Sequence, residues 1–192
     1  GAGAVLRSMR LQAGQSLAVF GVGGVGMSAV MAARLAGASR ILAIDRNVAR
    51  LDLAIDLGAT HAVVAGDDAV ARIRAIVPRG VDLSLNTTWA APVFDQAIEC
   101  LAPAGIAAFV TAPRDAWKPD MMRLLTGGKR LQGVQGGDAD PQLFIPMLIE
   151  QWQAGRFPFD RMIRRYPFDA IAQAFADCES GATLKPVLQI GG

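Results

Sequence analysis

Five short, mostly apolar segments recur along the chain, and a helical segment follows each of the first four; they span residues 16–20, 40–45, 61–66, 81–86 and 105–111. Strands that are apolar on both faces are typical of parallel sheets covered by helices, whereas half-exposed strands alternate apolar and polar residues. Strands alternating with helices indicate a doubly wound α/β architecture. We therefore predict one domain, residues 1–192, built on a doubly wound parallel sheet.

The last third of the chain follows the same pattern less regularly. A short helix and a glycine turn precede a predicted strand at 130–135, and Asp140 with Pro141 predicts the start of a helix. Asp169 is predicted to cap a further helix, which Gly181 ends. A closing strand, 185–190, contains Pro186, and this favours a sheet edge or a strand start.

Composition excludes several classes of protein. The chain is 52% hydrophobic and 19% charged, which argues against disorder. Its net charge is +2 and its Lys and Arg residues are scattered, so we expect no nucleic-acid partner. No apolar run reaches a membrane-spanning length, and the first ten residues do not resemble a signal peptide. Two distant cysteines predict no disulfide and a cytoplasmic location.

The turn after the first strand reads G-V-G-G-V-G, so Gly21, Gly23 and Gly26 match the dinucleotide-binding motif G-x-G-x-x-G. The first glycine makes the tight turn, the second admits a pyrophosphate to the backbone, and the third lets the helix pack closely on the strands. The helix N-terminus offers unpaired N–H groups to the phosphates. We expect the cofactor to contact the whole turn: Gly21, Val22, Gly23, Gly24, Val25 and Gly26. Glycines that merely form a tight crossover are the alternative.

Asp45 ends the next strand, 19 residues after Gly26, where the motif places an acidic residue at about 20. A carboxylate there accepts hydrogen bonds from the adenosine ribose hydroxyls and repels a 2′-phosphate, which favours NAD over NADP. Arg46 and Arg50 weaken this preference because a guanidinium could reach a 2′-phosphate. The alternative for both arginines is a solvated helix face.

In these features the chain resembles the coenzyme-binding (Rossmann) domain of the medium-chain, zinc-dependent alcohol dehydrogenases, and within them the aryl-alcohol (benzyl-alcohol) branch. The resemblance is carried, in order, by GAGAVL, SLAVFGVGGVGMSAVMAA, ILAIDRN, LGATHAV, GRFPFDRMIRRYPFDAIAQAFADCESG and LKPVLQI. The glycine motif is shared by many dehydrogenases, whereas the block from Gly155 to Ile190 is far more specific.

The resemblance implies further cofactor contacts beyond the glycine turn. Thr87 and Thr88 would lie beside the adenine and the nicotinamide ribose. Three residues would line the nicotinamide: Val110, Thr111 and Ala112. Val134 and Gly136 would offer backbone groups to the carboxamide, and Lys185 would meet the pyrophosphate. Ordinary strand-end packing for Thr87, Thr88 and Val110, and a solvated surface lysine for Lys185, are the alternatives.

Members of the family are about twice this length, and their N-terminal domain supplies the ligands of a catalytic zinc. We therefore expect an excised or naturally truncated coenzyme domain that carries no catalytic residue and no metal site. His61 is the single histidine and belongs to a structural turn in the family. Cys100 and Cys178 lack ligand spacing and are interpreted as core residues.

The resemblance also implies partners. The parent enzyme would transfer hydride between a primary, aromatic alcohol and NAD, and the chain alone would bind NAD without turnover. The strand at 130–135 would pair with its copy in a second subunit, giving a homo-oligomer. A non-catalytic NAD-binding or dimerisation module and a zinc-independent, quinone-reductase-like domain remain the alternatives.

Overall fold

The computed structural model describes residues 1–191, which form eight strands and seven helices besides short helical turns. The strands are β1 Ser16–Phe20, β2 Arg40–Asp45, β3 His61–Val64, β4 Val81–Asn86, β5 Leu101–Phe109, β6 Arg130–Gly133, β7 Ile163–Pro167 and β8 Lys185–Gln189. The helices are α1 Gly24–Leu35, α2 Val48–Leu57, α3 Ala69–Ile76, α4 Ala91–Glu99, α5 Met121–Leu125, α6 Pro141–Gln153 and α7 Ile171–Ser180. None of these helices is long and apolar enough to cross a membrane.

Six strands form one parallel sheet in the order β3-β2-β1-β4-β5-β6. This order is that of the Rossmann fold, so the predicted doubly wound sheet is confirmed. The strand order reverses between β1 and β4, which are neighbours in the sheet although two strands separate them in the chain. Ligands of open α/β sheets bind in the crevice at such a reversal, beyond the carboxyl ends of the strands.

Alternate residues of the central strands enter two different cores. Leu17 and Val19 of β1 pack with α1 and α2 on one face of the sheet. Ala18 and Phe20 of the same strand pack with α3 and α4 on the other face. Because side chains alternate across a strand, a strand buried on both faces must be apolar at successive positions. This geometry explains the apolar runs of the sequence.

The last two strands do not join the main sheet. β7 and β8 pair in parallel as a separate two-stranded sheet, with α7 between them in the chain. The predicted closing strand is therefore present at 185–189, but its partner β7 was not predicted. The predicted cap of α7 is wrong: Asp169 lies in a preceding helical turn, and Ala170 occupies the cap position without a side-chain hydrogen bond.

A buried tyrosine connects this small sheet to α7 through hydrogen bonds. The Tyr166 hydroxyl lies 2.6 Å from Asp177 Oδ2 and 2.6 Å from Thr183 Oγ1. The hydrogen bond from Tyr166, followed by one from Gln173 Nε2 to the other carboxylate oxygen, holds the pKa of Asp177 below its ordinary value. The charged form of Asp177 is thus favoured by folding.

We expect the contribution of this network to depend on pH. Because the pKa of Asp177 is lowered in the folded state, its stabilising effect is present above the unfolded value of 3.8 and is lost as the pH falls through the folded pKa. Tyr166→Phe should therefore reduce the urea midpoint more at about pH 6 than at about pH 3. An equal reduction at both pH values would contradict this link between Tyr166 and Asp177.

Candidate dinucleotide site

The glycine turn adopts the geometry that its sequence predicts. Gly21 follows β1 with φ +85°, and a side chain there would meet the Thr87 hydroxyl and the Thr88 methyl group at 2.7 Å. Gly26 lies in the first turn of α1, where an added Cβ would stand 2.0 Å from the Gly21 carbonyl oxygen. Gly21 is therefore required for the turn, and Gly26 for the close packing of α1 on β1.

The two middle glycines, Gly23 and Gly24, face open space. An added Cβ at Gly23 or Gly24 would meet no heavy atom within 4 Å. Gly23 is the N-cap of α1, and no side chain caps this helix end. The first N–H groups of a helix lack intrahelical acceptors and carry partial positive charge. The turn therefore leaves open space in front of unpaired donors, which suits an anionic group such as a diphosphate.

Asp45, the last residue of β2, is hydrogen-bonded to the turn. Its Oδ2 accepts from the N–H of buried Val22 at 2.8 Å, and its Oδ1 accepts from the Asn47 N–H at 2.9 Å. Each carboxylate oxygen can accept a second hydrogen bond. Asp45 thus fixes the turn and keeps capacity for hydroxyl donors. Sequence reasoning predicted Asp45 as a ligand but missed its bond to Val22.

The two arginines that follow Asp45 differ. Arg46 is exposed, whereas Arg50 lies half-buried in the first turn of α2, and its Nε is buried without a hydrogen-bond partner within the described residues. A Cβ added at Gly181 would lie 3.4 Å from an Arg50 guanidinium nitrogen. The end of α7 therefore packs against the guanidinium of Arg50, so a simple solvated helix face does not describe this residue.

Polar side chains join the ends of β4 and β5 on the other side of the reversal. Asn86 Oδ1 accepts from the Thr88 N–H at 2.8 Å and from the Thr88 hydroxyl at 2.9 Å. The Thr111 hydroxyl donates to the Thr88 carbonyl at 2.6 Å, and the Thr87 hydroxyl donates to the Gly21 carbonyl at 2.7 Å. This network links three strand ends around the crevice. Sequence reasoning missed Asn86, although a polar residue at the end of an apolar strand is a visible signal.

Replacing Asn86 with alanine is expected to lower the free energy of unfolding by about 2 kcal/mol. The substitution removes the acceptor of two Thr88 donors, and a buried donor without a partner costs about 1–3 kcal/mol. Thr88→Val removes one of these bonds and should cost only about 0.5–1.5 kcal/mol. Urea unfolding measures both variants. An Asn86→Ala variant as stable as the parent chain would show that this network does not hold the strand ends.

The remaining predicted cofactor-contact residues lie in two different parts of the fold. Val110, Thr111 and Ala112 follow β5, and buried Val134 follows β6 with its N–H bonded to the Phe109 carbonyl at 2.9 Å. Gly136 has φ +60° in the next turn. These segments share the carboxyl edge of the sheet with Gly21 and Asp45. Lys185 is instead an exposed residue of β8 in the second sheet, and its ammonium group forms no ion pair within residues 1–191.

The described part of the chain was expected to hold no metal site, and its potential metal ligands are scattered. Within residues 1–191, no three His, Cys, Asp or Glu side chains are grouped so that they could hold a metal ion. Burial raises the pKa of the Cys100 thiol to about 12, so this side chain is a protonated core residue. The residues present do not fit a catalytic zinc.

The strand order, the open glycine turn and the carboxylate at the end of β2 together define a dinucleotide-binding Rossmann domain. Residues 24–150 match the family described as zinc-binding dehydrogenase. The chain belongs to this family and forms its NAD-binding half.

Several proteins similar to this chain are alcohol dehydrogenases. Geraniol dehydrogenase of Castellaniella defragrans is 46% identical over 192 aligned residues, which cover 98% of this chain and 52% of that protein. Two crystal structures superpose on the whole chain. An alcohol dehydrogenase zinc-binding domain protein from Burkholderia ambifaria has a TM-score of 0.96 at 46% identity. Benzyl alcohol dehydrogenase of Acinetobacter calcoaceticus has a TM-score of 0.95 at 39% identity. The chain covers 52% and 54% of these two structures, so it spans about half the length of its relatives.

Proposed function

We propose that the crevice between the ends of β1 and β4 binds NAD(H) through the residues described above. The observation that carries this proposal is the open space at Gly23 and Gly24, which lies at an uncapped helix N-terminus beside Asp45. The diphosphate would lie on the turn, the adenosine ribose on Asp45 and Arg50, and the nicotinamide between the Thr87–Thr88 and Val110–Ala112 segments. The family resemblance adds three residues to these proposed cofactor contacts: Val134, Gly136 and Lys185.

Asp45 supports a preference for NAD over NADP. Both carboxylate oxygens are held by backbone N–H groups, so the negative charge has a fixed position at the crevice. A 2′-phosphate on the adenosine ribose would approach this charge and be repelled. Calorimetric titration of the chain with NADH and NADPH tests the proposal. We expect NADH to bind at least about tenfold more tightly, which corresponds to about 1.4 kcal/mol.

We propose that the parent protein is a zinc-dependent alcohol dehydrogenase acting on a primary alcohol of the aromatic or terpenoid kind. The names of the relatives, a geraniol and a benzyl alcohol dehydrogenase, support this substrate class. The zinc and the alcohol pocket would belong to a catalytic domain outside residues 1–192. The chain alone should then bind NADH yet fail to oxidise benzyl alcohol, as followed by NADH absorbance. Turnover by the 192-residue chain would contradict the proposal that catalysis requires a separate domain.

We also propose a homodimer formed through the strand at 130–135. β6 is an edge strand, and Val134 donates its N–H to β5. Because N–H directions alternate along a strand, Leu131 and Gly133 direct theirs away from β5, toward the open edge. Light scattering should give the mass of two chains for the unmutated 192-residue chain. It should give the mass of one chain for Gly133→Pro, which removes one outward N–H. If the unmutated chain had the mass of one chain at micromolar concentration, the dimer would be refuted.

A cytoplasmic location is our proposal for the compartment. Both Cys100 and Cys178 are free thiols, and a reducing compartment keeps thiols in this state.

A further inference from the structure

Two adjoining cavities, of about 360 and 310 Å³, lie at the edge of the sheet opposite to the glycine turn. We call them together the basal pocket. The larger cavity is lined by α3, the turn before β4, the start of β5 and the turn that precedes β6: Arg74, Arg79, Leu101, Pro103, Thr126, Gly127 and Lys129. β4 pairs Val81 with Leu101 at this edge and Asn86 with Phe109 at the carboxyl edge, and the five residue steps of β4 span about 17 Å at the usual rise per residue. The basal pocket is therefore separate from the dinucleotide crevice.

The larger cavity has an excess of positive charge. Arg74, Arg79 and Lys129 line it, no carboxylate does, and none of the three cations forms an ion pair within residues 1–191. In the adjoining cavity, Arg123 is already paired with Glu99 at 3.2 Å. Cations in a concave surface concentrate their field there and attract anions.

Helix capping explains part of this arrangement. Arg74 Nη2 donates to the Glu99 carbonyl at 2.9 Å, and Lys129 Nζ donates to the Ile98 carbonyl at 2.9 Å, so both cap the C-terminus of α4. Each uses one donor, while an arginine has five and a lysine three. Arg79 makes no hydrogen bond within the described residues. Capping therefore leaves Arg79 and most of the donors unexplained.

The pocket also holds its cations at an electrostatic cost. Burial, and then the charge of Arg74, lowers the pKa of Lys129. An anion between these groups would relieve the repulsion. The Thr126 hydroxyl, which has no hydrogen-bond partner in the described structure, adds a neutral donor to the same wall.

We propose that the basal pocket binds a small oxyanion of the phosphate monoester class. Arginine forks match the oxygens of a phosphate in pairs, and two arginines with one lysine suit a doubly charged group. The volume of the larger cavity lies at the lower end of the range for small-molecule pockets, which suits a phosphate that carries a short organic group.

Calorimetric titration at constant ionic strength tests the site with three probes: glycerol phosphate, inorganic phosphate and malonate. We expect glycerol phosphate to bind most tightly and Arg79→Gln to weaken it at least about tenfold, as for a lost charge-assisted hydrogen bond. Arg79 is exposed and makes no internal hydrogen bond, so this variant should fold normally. Arg165→Gln is the matched control, because Arg165 is an exposed arginine of β7 outside any ion pair within residues 1–191.

A further variant separates this site from the dinucleotide crevice. Phosphate bound at the glycine turn would be lost in Gly23→Ala and kept in Arg79→Gln, whereas we expect the reverse. No saturable binding of any phosphate probe, equal loss in both arginine variants, or tighter binding of malonate would overturn the proposal. Equal affinity for inorganic phosphate and glycerol phosphate would overturn the monoester class. None of these outcomes bears on the separate proposal that NADH binds at the glycine turn.

Discussion

The Gly26→Ala variant is expected to be less stable than the parent chain by about 3 kcal/mol and to lose NADH binding. Its Cβ would stand 2.0 Å from the Gly21 carbonyl oxygen and 3.3 Å from Val19 Cγ1. The obstructing atom is backbone, so relief requires α1 to move away from β1. Overpacking of a tight contact typically costs about 1–3 kcal/mol, and occasionally more. Denaturant unfolding followed by circular dichroism measures the loss.

Gly23→Ala is the matched control, with the opposite pattern. Its Cβ would meet nothing within 4 Å, and its φ of −73° is ordinary for alanine, so the loss of stability should stay below about 1 kcal/mol. The methyl group would instead stand in the space proposed for the diphosphate and should weaken NADH binding at least about tenfold. A stable Gly26→Ala variant would disprove the packing argument. Unchanged NADH binding by Gly23→Ala would disprove the role of the open space at the glycine turn.

The second large effect is expected at Asp45. Asp45→Ala should weaken NADH at least about tenfold, because hydrogen bonds to a charged group contribute about 1.5–3 kcal/mol each. NADPH should bind no worse, since the repelling charge is gone while Arg46 and Arg50 remain. Titration of the variant with both coenzymes measures the change in preference.

Asp45→Ala also has a structural consequence that must be separated from binding. The buried Val22 N–H would lose its acceptor, at a cost of about 1–3 kcal/mol in stability. Asp45→Asn keeps an oxygen for Val22 but removes the charge and turns an NH2 donor toward the Asn47 N–H, so it should recover part of the stability that Asp45→Ala loses and still lose the preference for NADH. If Asp45→Asn discriminated against NADPH as strongly as the parent chain does, the charge would not set coenzyme preference.

The sequence predicts the main sheet well because burial leaves a direct mark on it. β1, β2 and β4 have the predicted bounds. The glycine turn is predicted equally well, because position 21 has a φ of +85° and a side chain at position 26 would collide with the backbone. In both cases a local pattern reports a tertiary constraint.

Features that depend on contacts between distant segments have no local sequence pattern that predicts them. β7 contains two exposed arginines, Arg164 and Arg165, and lies in a two-stranded sheet, so it lacks the apolar run of a buried strand. The bond from Val22 to Asp45 joins residues 23 positions apart through a turn whose exact shape the motif does not give. The basal pocket unites α3, β5 and the turn before β6, and scattered arginines in a sequence do not reveal that they converge.

A crystal structure of the chain with NADH bound tests the central claim most directly. We expect the diphosphate to accept hydrogen bonds from the N–H groups at the start of α1, over Gly23 and Gly24, with the adenosine ribose hydroxyls on the Asp45 carboxylate. Coenzyme density at another part of the fold, or a diphosphate that leaves this helix N-terminus uncontacted, would contradict a dinucleotide site at the glycine turn.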